Sequence, residues 1–273
     1  MSCKIIAGGL AAVLGCIGYA ASATACSGNL PTQAALHDAL VASVKASGGP
    51  SNGGLDFNMW ASIVDRDGVV CAVAFSGGTR GDQWPGSRVI AAQKANTGNA
   101  FSLDSFALSS GNLYGTVQPG GSLFGLQFSN PVDPAVAYRG DPNAYGTTTD
   151  PMVGGRIGGI NVFGGGLGLY TPSGRLVGGL GVSGDTSCAD HNIAYRTRST
   201  LNLDYVPAGV GDAAHKDNAI FDITPQGGGD VAPGTGQMPG VSTSGFGHAS
   251  CHGYSLKGNE TDTALVLALP PTK

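Results

Sequence analysis

The chain has 273 residues, enough to bury a sizeable core in one or two domains. Charged residues make up only 12% while glycine numbers 47, which argues for a compact, loop-rich protein and against a charged disordered one. The formal net charge is −4, so nothing suggests the clustered Lys and Arg that nucleic acid or an anionic membrane surface requires, and neither is expected as a partner.

Lys4, the apolar run Ile5–Tyr19 and the small-residue site Ala23-Thr24-Ala25 read as a secretory signal over residues 1–25. The run is short for a membrane anchor, and the boxes ending in Cys16 and Cys26 also resemble lipoprotein cleavage sites. Four cysteines remain after cleavage: Cys26, Cys71, Cys188 and Cys251. An even number in an exported chain reads as two disulfides with three possible pairings. Cys26–Cys71 with Cys188–Cys251 is favoured, since each then joins a terminal segment to the core. A periplasmic or secreted location is the matching expectation. No C-x-x-C occurs, so a zinc ribbon, a thioredoxin motif and covalent c-type haem lack their signature.

Pro31–Ser47 predicts a helix, with Leu36, Leu40 and Val44 on one stripe, Thr32 as cap and Gly48-Gly49 as stop. His37 lies off that stripe. Asn58–Phe75 predicts a hairpin around Asp65-Arg66-Asp67-Gly68, with both strands apolar on nearly every residue. The loop Ser76–Ser87 carries Arg80 and Trp84; Ser87 fits an N-cap for a helix reaching about Ala100, and a second short helix is expected around LDSFALSSGNLY. Residues 118–156 form a long irregular insertion rich in Gly, Pro, Asn and Asp. Ile157–Val182 returns to sheet, with a type I turn at Thr171–Gly174 and a return strand whose glycines leave room for close approach. A helix of about 12 residues follows, capped by Asp185 or Thr186, with Cys188, His191, Tyr195 and Arg198 on one stripe about 80° wide. Residues 199–273 read as a loop-rich extension packed on the domain, with Gln226–Gly240 as a flexible stretch and Ala264–Leu269 as a last strand.

Two readings stay open for the segment 177–198. A His on its helix could ligate a metal or haem iron, and Arg196 or Arg198 could pair with a carboxylate. Alternatively, Cys188 makes a disulfide and His191 is a hydrogen-bonded structural histidine. His248 and His252 flank Cys251 between glycines, which favours a loop over a metal site, so no metal beyond a possible haem iron is expected. Arg80, Trp84 and Arg88 could clamp a planar anionic ligand, or form a surface loop around one packed Trp. Gly181-Val182-Ser183-Gly184-Asp185 departs from the G-x-S-x-G nucleophile elbow, so a Ser-His-Asp hydrolase is poorly supported. Asn259-Glu260-Thr261 matches a glycosylation sequon of the kind that also arises by chance.

The order of these elements resembles a known family. Val64-Asp65-Arg66-Asp67-Gly68, Ala91–Ala95 with Thr97 and Phe101, Gly158-Gly159, and Val177–Gly184 followed by Cys188-Ala189 stand where the haem-binding, haem-degrading family typified by GlcG and HbpS carries its motifs. The resemblance covers about Leu30 to Arg198, interrupted by the insertion. It implies an α/β (α+β) domain with a mostly antiparallel sheet of about five strands flanked by helices, similar to profilin-like sensor folds. It also implies a homo-oligomer and a link to haem or another tetrapyrrole. The leading expectation is an exported haem-binding carrier or sensor. His191 is the first axial-ligand candidate, Tyr195 a weaker one and His37 a second histidine, with Arg196 and Arg198 for the propionates. The alternatives are a cofactor-free accessory module that docks through the insertion, and an enzyme on a small metabolite using Asp190, His191 and Arg88.

Overall fold

The computed structural model describes residues 26, 28–224, 241–251 and 262–273. The expected signal segment, the stretch Gln226–Gly240, His252 and the sequon lie outside the described residues.

Thr32 caps α1 (Gln33–Ser43) by accepting from the Ala35 N–H, and Leu36 and Leu40 on its inner side are fully buried. A short 3₁₀ turn, Lys45–Ser47, ends at Gly48 in the left-handed conformation. The hairpin forms from β1 (Trp60–Asp65) and β2 (Val70–Phe75). Asp65 closes its turn by accepting from the N–H groups of Asp67 and Val69, both at 2.9 Å. Then α2 (Ser87–Ala100) crosses the sheet, starting at Ser87 with Gly86 at the cap position, so Ser87 is not the cap. The second hairpin is β3 (Gly166–Tyr170) and β4 (Leu176–Ser183), and α5 (Ser187–Thr200) follows with Thr186 as cap.

The four strands run in the order β2-β1-β4-β3, every pairing antiparallel. The sheet has four strands rather than about five, because Ile157–Gly165 stays irregular and reaches the sheet only at Gly166. A separate two-stranded ribbon, β5 (Ile223–Thr224) with β6 (Val241–Ser242), lies in the extension.

Both sheet faces are covered, as the near-continuous apolar strands require. Ala61, Ile63, Leu180 and Val182 face α1 and α5. Trp60, Val64, Val70 and Val73 face α2 and the insertion, which contributes Ala137 and Met152, with Ile157 just beyond it. The glycines of β4 set the depth of α2. A Cβ on Gly181 would sit 1.9 Å from the Ala91 carbonyl oxygen and one on Gly179 2.2 Å from that of Ala95. Only bare backbone lets the helix lie this close.

The insertion is short helical pieces joined by turns: α3 (Leu126–Ser129), α4 (Pro134–Ala137) and a 3₁₀ turn at Pro142–Ala144. It attaches through backbone bonds, with Val70 donating to the Gly155 carbonyl and Gly154 donating to that of Val70, both at 2.9 Å. Two expectations are corrected. The stretch LDSFALSSGNLY forms only a 3₁₀ turn, Ser110–Leu113, because the Ser109–Asn112 capping pair favours a tight local turn, and a second 3₁₀ turn, Gly115–Val117, follows it. Ala264–Leu269 is not a strand but lies largely in α6 (Asp262–Leu267), whose Val266, together with Leu269 just beyond it, seals the core beside α5.

Candidate functional site

Helix α5 is buried on nearly every side. Ile193 and Ala194 meet the sheet core, while Cys188, His191, Tyr195 and Arg198 face residues 204–219 and 249–251 of the extension. The stripe expected from the helical period therefore exists, but it is closed. His191 is fully buried, its Nε2 accepts the Ala219 N–H at 3.0 Å, and its Nδ1 has no partner. Burial above all holds its pKa down at about 3, with the charges of His248, Arg198 and Lys94 adding to that and Asp217 opposing it, so the ring is neutral. Tyr195 lies beside it, ring centroids 5.7 Å apart, with its hydroxyl buried and its pKa raised first by burial and then by the Asp217 charge.

Arg198 is fully buried and forks onto Asp217, Nη1 at 2.6 Å and Nη2 at 2.7 Å, with a further bond to the Gly168 carbonyl at 3.1 Å. Arg196 is half-buried and donates to the Asn52 side chain at 3.0 Å. In this fold His191, Tyr195 and Arg198 are enclosed by the extension rather than open to solvent. The His191 Nε2 already takes a backbone N–H, and the Arg198 guanidinium already has its carboxylate.

Two disulfides, Cys26–Cys71 and Cys188–Cys251, tie the first described residue to the hairpin and the C-terminal extension to α5. His248 uses both ring nitrogens, with the Ser187 hydroxyl at 2.7 Å on Nε2 and the Ala249 carbonyl at 2.6 Å on Nδ1, so neither it nor Cys251 is open to a metal.

The three residues of the enzyme reading are not brought together. Asp190 pairs with Lys94 at 2.6 Å, both buried, and burial pushes its carboxyl up against the pull of Lys94. Arg88 is held on the opposite side of the sheet by Asp150, the Ala137 carbonyl and the Tyr145 ring, so it does not join Arg80 and Trp84. What stays on that loop is an exposed pair. Trp84 is 50% exposed and packs edge-to-face on Phe57, centroids 5.3 Å apart, with exposed Arg80 nearby in sequence. Asp82 and Gln83 stiffen the loop through bonds to Thr79 and Gly77.

His37 remains a surface imidazole on α1. Its Nδ1 lies 3.1 Å from the Asp38 carboxylate and 42% of its side chain is exposed. A carboxylate on Nδ1 fixes the tautomer that leaves Nε2 as a free electron pair, the arrangement that suits a metal-ligating His.

The buried pairs Lys94–Asp190, Arg88–Asp150 and Arg198–Asp217 and the part-buried pair Ser187–His248 are not recognisable in the sequence, since their members stand 96, 62, 19 and 61 residues apart. One local signal existed. Lys94 sits three residues after Ala91 and one before Ala95, on the face that meets the glycines of β4.

The family model for the haem degrading protein HbpS-like family matches residues 36–198, running from α1 to the end of α5. No curated protein matches the chain. Among solved structures, Klebsiella pneumoniae protein ORFY is 23% identical, with 64% of this chain and 94% of that chain covered and a TM-score of 0.42. A complex of PduOC with heme is 25% identical, with coverage of 62% and 91% and a TM-score of 0.42. A double mutant of Streptomyces reticuli HbpS is 20% identical, with coverage of 72% and 99% and a TM-score of 0.39. With its family match spanning well over half of its length, the chain belongs to the haem degrading protein HbpS-like family.

Proposed function

We propose that this protein binds a tetrapyrrole, haem in the first instance, as an exported carrier or sensor. The carrying observation is the family match across all the elements that build the sheet and its covering helices. The two disulfides suit an oxidising compartment, and among the described residues no helix is long and apolar enough to cross a membrane. The α5 residues do not fit the role of iron ligands while the extension covers them. His37 fits, because its Nε2 is at the surface and its Nδ1 is oriented by Asp38. A bound haem would supply an iron for ligation or redox change; His37 would hold it in place. Arg80 and Trp84 offer a second exposed contact for a planar anion.

The test is a hemin titration of the full chain followed in the Soret region. A saturable shift that His37→Ala removes and His191→Ala leaves intact is expected. Absence of a shift in the unaltered protein overturns the proposal, and a shift lost only in His191→Ala overturns the choice of ligand.

A second reading has one observation behind it. The insertion exposes Phe124, Phe128 and Tyr138 at 60%, 81% and 66%, the character of a protein contact, and a stoichiometric partner recovered without a coloured ligand would favour an accessory module.

A further inference from the structure

The C-terminal extension carries an open pocket of about 440 Å³ that includes none of the residues proposed for haem. It lies between the segment 210–222 and α6, wholly outside the part of the chain that the family model matches. Its size is within the roughly 300–1,000 Å³ of small-molecule pockets. Val210, Ile220, Phe221, Val266 and Leu267 give it an apolar body.

The polar edge has a single sign. Asp212 and Asp222 line it, and among the described lining residues there is no Lys, Arg or His. Asp222 accepts from the Ser242 hydroxyl at 2.7 Å and the Ser244 N–H at 2.6 Å. For Asp212, burial acts to raise the pKa, but N–H groups of His215 and Ala214 outweigh it and the net direction is down. Asn218, also in the lining and 6% exposed, donates to Asp212 and keeps its Oδ1 acceptor unpartnered. An apolar pocket edged with acceptors and two negative charges selects donors and cations. Haem propionates would meet the carboxylates of Asp222 and of Asp212, the latter with the His215 Nδ1 at 3.3 Å, which disfavours this pocket for a tetrapyrrole.

We propose that the pocket of the C-terminal extension is a binding site for a small organic cation with an apolar body, such as an aryl-alkyl amine.

Isothermal titration of the full, disulfide-intact chain with tryptamine tests this, with indole-3-acetate as the anionic counterpart. One saturable site for tryptamine is expected, with indole-3-acetate at least tenfold weaker. Ile220→Trp, which fills the pocket without removing a charge, should abolish tryptamine binding while far-UV dichroism, the thermal unfolding midpoint and the hemin titration stay unchanged. Absence of tryptamine binding at millimolar concentration, equal binding of the anion, or undiminished binding in a folded Ile220→Trp variant each overturns the proposal. Hemin binding is read in the Soret region on separate samples, so failure of either site is seen independently of the other.

Discussion

Replacing Asp217 with Ala would strip the counter-charge from Arg198. Both side chains are fully buried, and the carboxylate takes two of the three hydrogen bonds that the guanidinium makes. The Gly168 carbonyl would be left alone with a buried cation. Removing one partner of such a pair costs about 3–5 kcal/mol, mostly because the remaining charge has lost its solvation without compensation. At roughly 2–4 °C per kcal/mol for a chain of this size, the melting temperature should fall by about 6–20 °C. Urea denaturation with disulfides intact measures the loss. The companion variant Arg198→Met combined with Asp217→Ala should recover much of it, because an apolar side chain tolerates the site that a lone cation does not. The reasoning is refuted if Asp217→Ala costs less than about 1 kcal/mol, or if the double variant costs the sum of the two single ones. Either result would mean that the extension is not docked on α5 through this pair.

Three more expectations follow from the same geometry. His191 is neutral in the fold with a pKa of about 3, below its ordinary value of 6.5, so the unfolded chain binds the extra proton and stability falls as pH drops from 6.5 towards 3. Against His191→Gln, which keeps an acceptor for the Ala219 N–H, the unaltered protein should lose about 1.4 kcal/mol per pH unit in that window; parallel stability curves would contradict the assignment. Replacing Cys188 and Cys251 by Ser opens a closure spanning 63 residues, for which chain entropy gives about 4 kcal/mol, read as a lower denaturation midpoint; an unchanged midpoint would count against it. Gly181→Val forces a side chain into the Ala91 carbonyl and should leave the protein insoluble or molten by near-UV dichroism, whereas a native spectrum would show that α2 can move off the sheet.

What the sequence determined by itself was local and periodic. The four-residue stripe of α1, the Asp-Gly turn, the strand glycines and the spacing of Cys188, His191, Tyr195 and Arg198 are each readable because the interacting residues are close in the chain. The same locality explains the errors. The 3₁₀ turns at 110–117 and the helix at 262–267 were misread where propensity is weak and packing decides. Whether His191 faces solvent, ligand or protein was a question its helix could not answer. Helical period puts residues on a common side but does not say what lies there. Only the tertiary structure decided that Asp217 and Ala219 of the extension lie there, taking up Arg198 and His191. A buried charge and a buried imidazole each demand a partner, and the chain supplied both from segments 19 and 28 residues away. Among the described histidines, His37 is the one whose surroundings stayed open.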